Sequence, residues 1–185
     1  MPEKLLHDLE VSMKKSVDNF KSELSKIRTG KATPALLDGI NVEYYGVKSP
    51  LNQVSTISTP DPKMIVVQPW DKTILPAIEK EIMKANIGLT PTNDGNVIRI
   101  SVPPLTEERR KEIVKTIKKL GEESRIVIRQ IRRDNIEKLK SMKKDGTISE
   151  DDEERLEKEI QKTTEKYIGE IDNLVTKKEN EILGS

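Results

Sequence analysis

Three stretches of this chain repeat their apolar residues every three or four positions, and one stretch between the first and the second does not. Leu6, Leu9, Met13, Val17, Phe20, Leu24 and Ile27 make the first repeat, which predicts a helix over residues 3–28. Thr29-Gly30 stops it, with Gly30 suited to a left-handed cap, and Pro34 forbids a simple continuation. The second repeat fills residues 106–144 with Ile113, Ile117, Leu120, Val127 or Ile128, Ile131, Leu139 and Met142. Pro103 and Pro104 end whatever precedes it, Thr106 is a suitable N-cap, and Glu107 and Glu108 complement the first turn. No proline interrupts this stretch, so it predicts one rod of about 58 Å at 1.5 Å per residue. Gly121 is its weak point, at about 1 kcal/mol against alanine. The third repeat follows the turn Lys144-Asp145-Gly146, opens on Ser149 with Asp152 three residues later, and carries Leu156, Ile160, Tyr167, Ile171, Leu174, Val175 and Ile182. It thins at Thr163 and Thr164 and ends near Leu183, where Gly184 fits a cap.

Residues 31–105 have another texture. Ile40–Tyr45, between Gly39 and Gly46, alternates as a half-buried strand; Met64–Val67 reads as a buried strand ended by Pro69; Val97–Val102 reads as a third. Short apolar pieces surround Leu51, Val54 and Ile57 among Pro50, Pro60 and Pro62. Ile74, Leu75, Ile78 and Ile82 mark one short helix that tolerates Pro76 in its first turn.

Helical stripes too narrow to bury themselves are satisfied together by one bundle. The expected fold class is therefore α+β with two domains. An elongated antiparallel three-helix bundle takes residues 1–29 and 106–185, and a small inserted β/α/β domain takes residues 30–105. Two short linkers, Thr29, Gly30, Lys31, Ala32 and Thr33 going out and Val102, Pro103, Pro104 and Leu105 coming back, predict an L-shaped, hinged molecule.

Composition changes this picture in two ways. Charged residues are 35% and aromatics 3%, which suits long helices washed by solvent. The net charge of +1 hides an asymmetry: residues 106–146 hold 14 Lys or Arg against 8 Asp or Glu, and residues 147–183 hold 6 against 12. A basic helix beside an acidic one accounts for part of this; a surface for a polyanion would account for the rest. There is no cysteine, so disulfides, thiolate metal sites and a cysteine nucleophile are excluded. No window reaches the roughly 20 apolar residues of a membrane span, and the first residues lack a signal-peptide core. The expectation is a cytoplasmic monomer with neither membrane nor DNA as partner.

Chemistry is sparse. Gly30-Lys31 lacks the upstream glycine of a phosphate loop, and there is no Gly-x-Ser-x-Gly or His-Glu-x-x-His pattern. His7, the single histidine, has no second ligand type clustered around it. Carboxylates are abundant but occupy solvated helix positions, where nothing shifts their pKa values toward acid–base work. The sequence reads as a non-enzyme without cofactor or metal.

What stands out is arginine. Arg125, Arg129, Arg132 and Arg133 fall at i, i+4, i+7 and i+8 of the long helix and share one side; Arg109 and Arg110 stand at its start and Arg28 at the end of the first helix. Residues 126–128 and 131 are expected to point inward and leave these arginines exposed. A planar guanidinium holds phosphate bidentately and stacks on bases, so the pattern predicts salt-sensitive RNA binding along a rod. Pairing with acids of the third helix is the competing account. A coiled-coil adaptor and a general RNA chaperone are the other functional classes left open.

Six motifs then carry a resemblance: Ser25-Lys26-Ile27-Arg28-Thr29-Gly30, Pro34-Ala35-Leu36-Leu37-Asp38, Val42-Glu43-Tyr44-Tyr45-Gly46, Pro103-Pro104-Leu105-Thr106-Glu107-Glu108-Arg109-Arg110, Ile131-Arg132-Arg133-Asp134-Asn135 and Ile148-Ser149-Glu150-Asp151-Asp152. In this order and register they resemble the bacterial ribosome recycling factor family. The resemblance implies a tRNA-like outline and binding to the post-termination bacterial ribosome. It also implies contact of the bundle with large-subunit ribosomal RNA, and subunit splitting with elongation factor G, which supplies the GTP hydrolysis. It makes Arg132 the leading RNA contact, with Arg110, Arg129, Arg133 and Arg28 next.

Overall fold

A computed structural model describes residues 2–184; Met1 and Ser185, assigned above to the bundle, lie outside the described residues. The chain forms two compact units, residues 2–27 with 107–184 and residues 28–106.

The first unit contains three helices: α1 (Pro2–Ser25), α4 (Glu107–Lys144) and α5 (Glu150–Leu183). Each stripe is buried as its spacing requires: Leu9, Met13, Val17, Phe20 and Leu24 from α1; Ile113, Ile117, Ile128 and Leu139 from α4; Leu156, Ile160, Tyr167, Ile171, Val175 and Ile182 from α5. Each large aliphatic side chain removed from water in this way contributes about 1.5–3 kcal/mol. The polar residues in the seam satisfy themselves locally. Thr164 donates its hydroxyl to the Ile160 carbonyl at 2.7 Å, and Asn135 donates Nδ2 to the Ile131 carbonyl at 2.8 Å. Ser149 closes a reciprocal cap with Asp152 at the start of α5, and the backbone hydrogen bond from Ser149 holds the Asp152 carboxyl below its ordinary value.

Three details differ from the sequence reading. Helix α1 stops at Ser25, because Lys26 and Ile27 donate to Glu23 and Leu24, three residues back, and tighten the last turn; Arg28 is therefore outside the helix and in the second unit. Ile126 and Val127 do not point inward but are 53% and 47% exposed. At about 100° per residue three consecutive side chains cannot share one face, and Ile128 takes the core position. Gly121, read as a weak point, is buried where α4 and α5 approach: a Cβ there would lie 2.7 Å from Val175 Cγ2.

The second unit begins with a 3₁₀ turn (Pro34–Leu37) and the hairpin β1 (Asn41–Tyr44) and β2 (Val47–Pro50), closed by Tyr45 and Gly46 at φ of 50° and 77°. One helical turn, α2 (Leu51–Val54), leads into β3 (Ser55–Asp61) and β4 (Met64–Pro69). Helix α3 (Leu75–Lys84), with Pro76 in its first turn, precedes β5 (Thr90–Asn93) and β6 (Ile98–Ser101). The larger sheet has the order β3-β4-β6-β5 with every pair antiparallel. Ile65, Val67, Ile98 and Ile100 face one way into a core completed by Ile78 and Ile82 of α3, Leu51 and Val54.

Candidate nucleic-acid interface

The seven arginines singled out by sequence occupy different environments. Arg125 crosses from α4 to α5: Nε donates to Asp172 Oδ1 at 2.7 Å and Nη1 to Glu122 Oε2 at 3.1 Å, leaving its side chain 21% exposed. Burial lowers its pKa, but the hydrogen bonds to Asp172 and Glu122 outweigh that and hold it above the ordinary value. Arg129 Nη1 reaches the other oxygen of Glu122 at 3.2 Å. Hydrogen bonds from Arg125 first and Arg129 second keep the Glu122 carboxyl below its usual range. Two of the four ridge arginines are thus held by acids, one across the seam and one along α4.

Arg132 differs. Its Nη1 donates to the neutral Gln161 Oε1 of α5 at 3.1 Å, its Nε is buried without a partner, and among the described residues no carboxylate lies within ion-pair distance. Arg133 is exposed on the solvent side of the helix and makes no ion pair among the described residues. In the first turn of α4, Arg109 bonds Glu112 at 2.9 Å, while Arg110 is half-buried with Nε unpartnered. Arg28 is half-buried, with Nε and Nη2 unpartnered. The ridge expected from spacing alone is therefore graded: Arg125 is tied down, Arg129 and Arg109 are shared with acids, and Arg132 and Arg133 have no carboxylate partner among the described residues. Glu122, Asp172 and Gln161 make this grading and were missed, because the register of α4 against α5 is not readable from either repeat alone.

The linker residues also separate into kinds. The Ala32 amide donates to the Pro62 carbonyl at 2.8 Å and the Val102 amide to the Lys63 carbonyl at 2.7 Å. Both side chains belong to the core of the second unit. Thr33 precedes the 3₁₀ turn and its carbonyl accepts from Leu36. Gly30, at φ +82°, lies against Leu105, so that a Cβ would meet Leu105 Cγ at 3.1 Å. Thr29 is half-buried, and Lys31, Pro103 and Pro104 are exposed.

Comparison with known proteins decides the family. Residues 20–183 match the family model described as ribosome recycling factor. This chain belongs to the ribosome recycling factor family. A ribosome-recycling factor of Acetivibrio thermocellus is 57% identical over 176 residues, 95% of this chain and 96% of that one. One of Geobacter metallireducens is 53% identical over 99% of both chains. Among solved structures, the solution structure of a ribosome recycling factor superposes with a TM-score of 0.78 at 44% identity, covering 100% of this chain and 98% of that one. A second family structure, the T. thermophilus factor with E. coli elongation factor G bound to the E. coli post-termination complex, has a TM-score of 0.65 at 46% identity and covers 99% of both chains.

Proposed function

We propose that this chain recycles ribosomes after translation termination. It binds the post-termination ribosome and, with elongation factor G and GTP hydrolysis by that partner, separates the subunits and releases mRNA and deacylated tRNA. It performs no catalysis itself and acts in the cytoplasm. The observation that carries this reading is the family match along nearly the whole chain. The relative bound with elongation factor G on a post-termination complex supports the choice of partners.

The contact with large-subunit ribosomal RNA is made by the α4 face, with Arg132 and Arg133 foremost, Arg129, Arg110 and Arg109 contributing, and Arg125 bracing the seam; Arg28, in the second unit, is a separate candidate contact. Uncompensated guanidinium groups meet phosphate with charge-assisted hydrogen bonds and release counterions as they do so. The two linkers let the second unit respond to elongation factor G while the bundle holds the RNA. The bending falls at residues 28–31 and 103–106, because Ala32 and Val102 are anchored in the core of the second unit.

Co-sedimentation with ribosomes across a salt series, with unrelated structured RNA as competitor, tests the binding. The expected result is retention against the competitor and a steep loss with salt; equal displacement by any structured RNA would make the chain a general RNA chaperone. Arg132→Ala is expected to weaken binding on the order of ten-fold and reduce the salt slope by about one. Unchanged helicity distinguishes lost contact from lost fold.

A further inference from the structure

We infer that Gln161 is a positioning residue for Arg132, one that aims the guanidinium across the α4–α5 seam without discharging it. Two arginines of α4 reach α5 on the same side, seven residues apart, and they meet opposite chemistries. Arg125 meets the Asp172 carboxylate, and Arg132 meets the Gln161 amide. The orientation of that amide is fixed by its other end: Gln161 Nε2 donates to Glu165 Oε1 at 3.0 Å, one turn along α5. A carboxylate only accepts, so the amide nitrogen must face Glu165 and the oxygen must face Arg132. The relay Glu165–Gln161–Arg132 thus presents the arginine with an acceptor that carries no net charge.

The consequence is electrostatic. A carboxylate at position 161 would form an ion pair with Arg132 and compete with phosphate for it, as Asp172 and Glu122 already do for Arg125. An apolar residue would leave the long side chain free among its rotamers, with its ordering entropy lost on binding instead of beforehand. A glutamine does neither, in a helix where carboxylates are otherwise the commoner long polar side chains. The inference rests on the reading of Arg132 as a ribosome contact, so the test separates the two.

The full chain and the variants Arg132→Ala, Gln161→Glu, Gln161→Met and Arg132→Ala/Gln161→Glu are compared for ribosome affinity at low and moderate salt and for thermal midpoint. Gln161→Glu is expected to lower affinity on the order of ten-fold and the salt slope by about one, while its midpoint reflects the ion pair gained with Arg132 set against the hydrogen bond lost to Glu165 and the like charge one turn away. Gln161→Met is expected to lose roughly three-fold, the cost of ordering one long side chain. In the Arg132→Ala background Gln161→Glu is expected to cost less than about two-fold, since the group it acts through is gone. Equal losses from Gln161→Glu in both backgrounds would mean a general repulsion and overturn the positioning role. So would loss of parental helicity at the assay temperature in Gln161→Glu or Gln161→Met. Parental affinity in Arg132→Ala alone would remove the underlying reading together with the inference.

Discussion

Gly121→Ala should destabilise the bundle even though alanine is the better helix former. The propensity change alone favours alanine by about 1 kcal/mol. Against it, the added Cβ would come within 2.7 Å of Val175 Cγ2, well inside contact distance. Val175 is a poor residue to yield, because a β-branched side chain in a helix has essentially one rotamer, so relief requires α4 and α5 to shift. Overpacking of this kind costs about 1–3 kcal/mol. With the propensity gain subtracted, the net loss is between roughly nothing and 2 kcal/mol, and its origin is testable by a cycle with Val175→Ala. Val175→Ala alone removes two methyl groups and should cost roughly 2 kcal/mol. In the double variant the new Cβ occupies part of the vacated space, so the combined loss should fall short of the sum by about 1–2 kcal/mol. Helical circular dichroism during urea unfolding reads this directly. Strict additivity, or a gain in stability from Gly121→Ala alone, would refute the close approach as the reason for the glycine.

Three further outcomes are expected. Arg125→Ala should lower the stability read from thermal unfolding, by no more than about 1 kcal/mol for a partly exposed pair, while ribosome affinity falls less than for Arg132→Ala in co-sedimentation. Burial, followed by repulsion from the Glu10 carboxylate that accepts its hydroxyl at 3.2 Å, pushes the Tyr167 pKa up to about 12. The folded value lies above the ordinary 10.0, so this stabilisation is complete below pH 10 and is lost as pH rises toward 12; Tyr167→Phe should flatten that limb of a stability–pH curve. Asp61 Oδ1 accepts from the Lys63 amide at 2.7 Å and shapes the turn whose Pro62 and Lys63 carbonyls hold Ala32 and Val102. Asp61→Ala should therefore speed hydrogen exchange at both amides together while the amides of β4 and β6 stay protected; a change at only one would mean that the linkers are held independently.

The long helices were legible because their stripes are single and uninterrupted: every buried apolar residue of α1 was read from spacing, and the Ser149–Asp152 cap was read as a pair. The second unit was less so. Strand β5 is Thr-Pro-Thr-Asn, with no apolar alternation, and Pro91 is tolerated only because this strand lies at the sheet edge. Strand β2 is mostly exposed and carries no periodic signal. For the candidate interface, spacing put Arg125, Arg129, Arg132 and Arg133 on one side of α4 but could not say which of them an acid would occupy. That depends on which α5 residue stands opposite each, and a shift of one turn would have placed a different residue against Arg132.

The interruption of the bundle by residues 28–106 also shapes how the chain is made. Helix α1 leaves the translating ribosome first, yet its partners α4 and α5 lie beyond roughly 80 intervening residues. At about 5–20 residues per second, Met13, Val17 and Phe20 wait on the order of 4–16 s or longer with their stripe uncovered. The α4–α5 hairpin meets itself locally as soon as it is complete, so assembly waits on the last helix, and the uncovered first helix is where a chaperone would be needed.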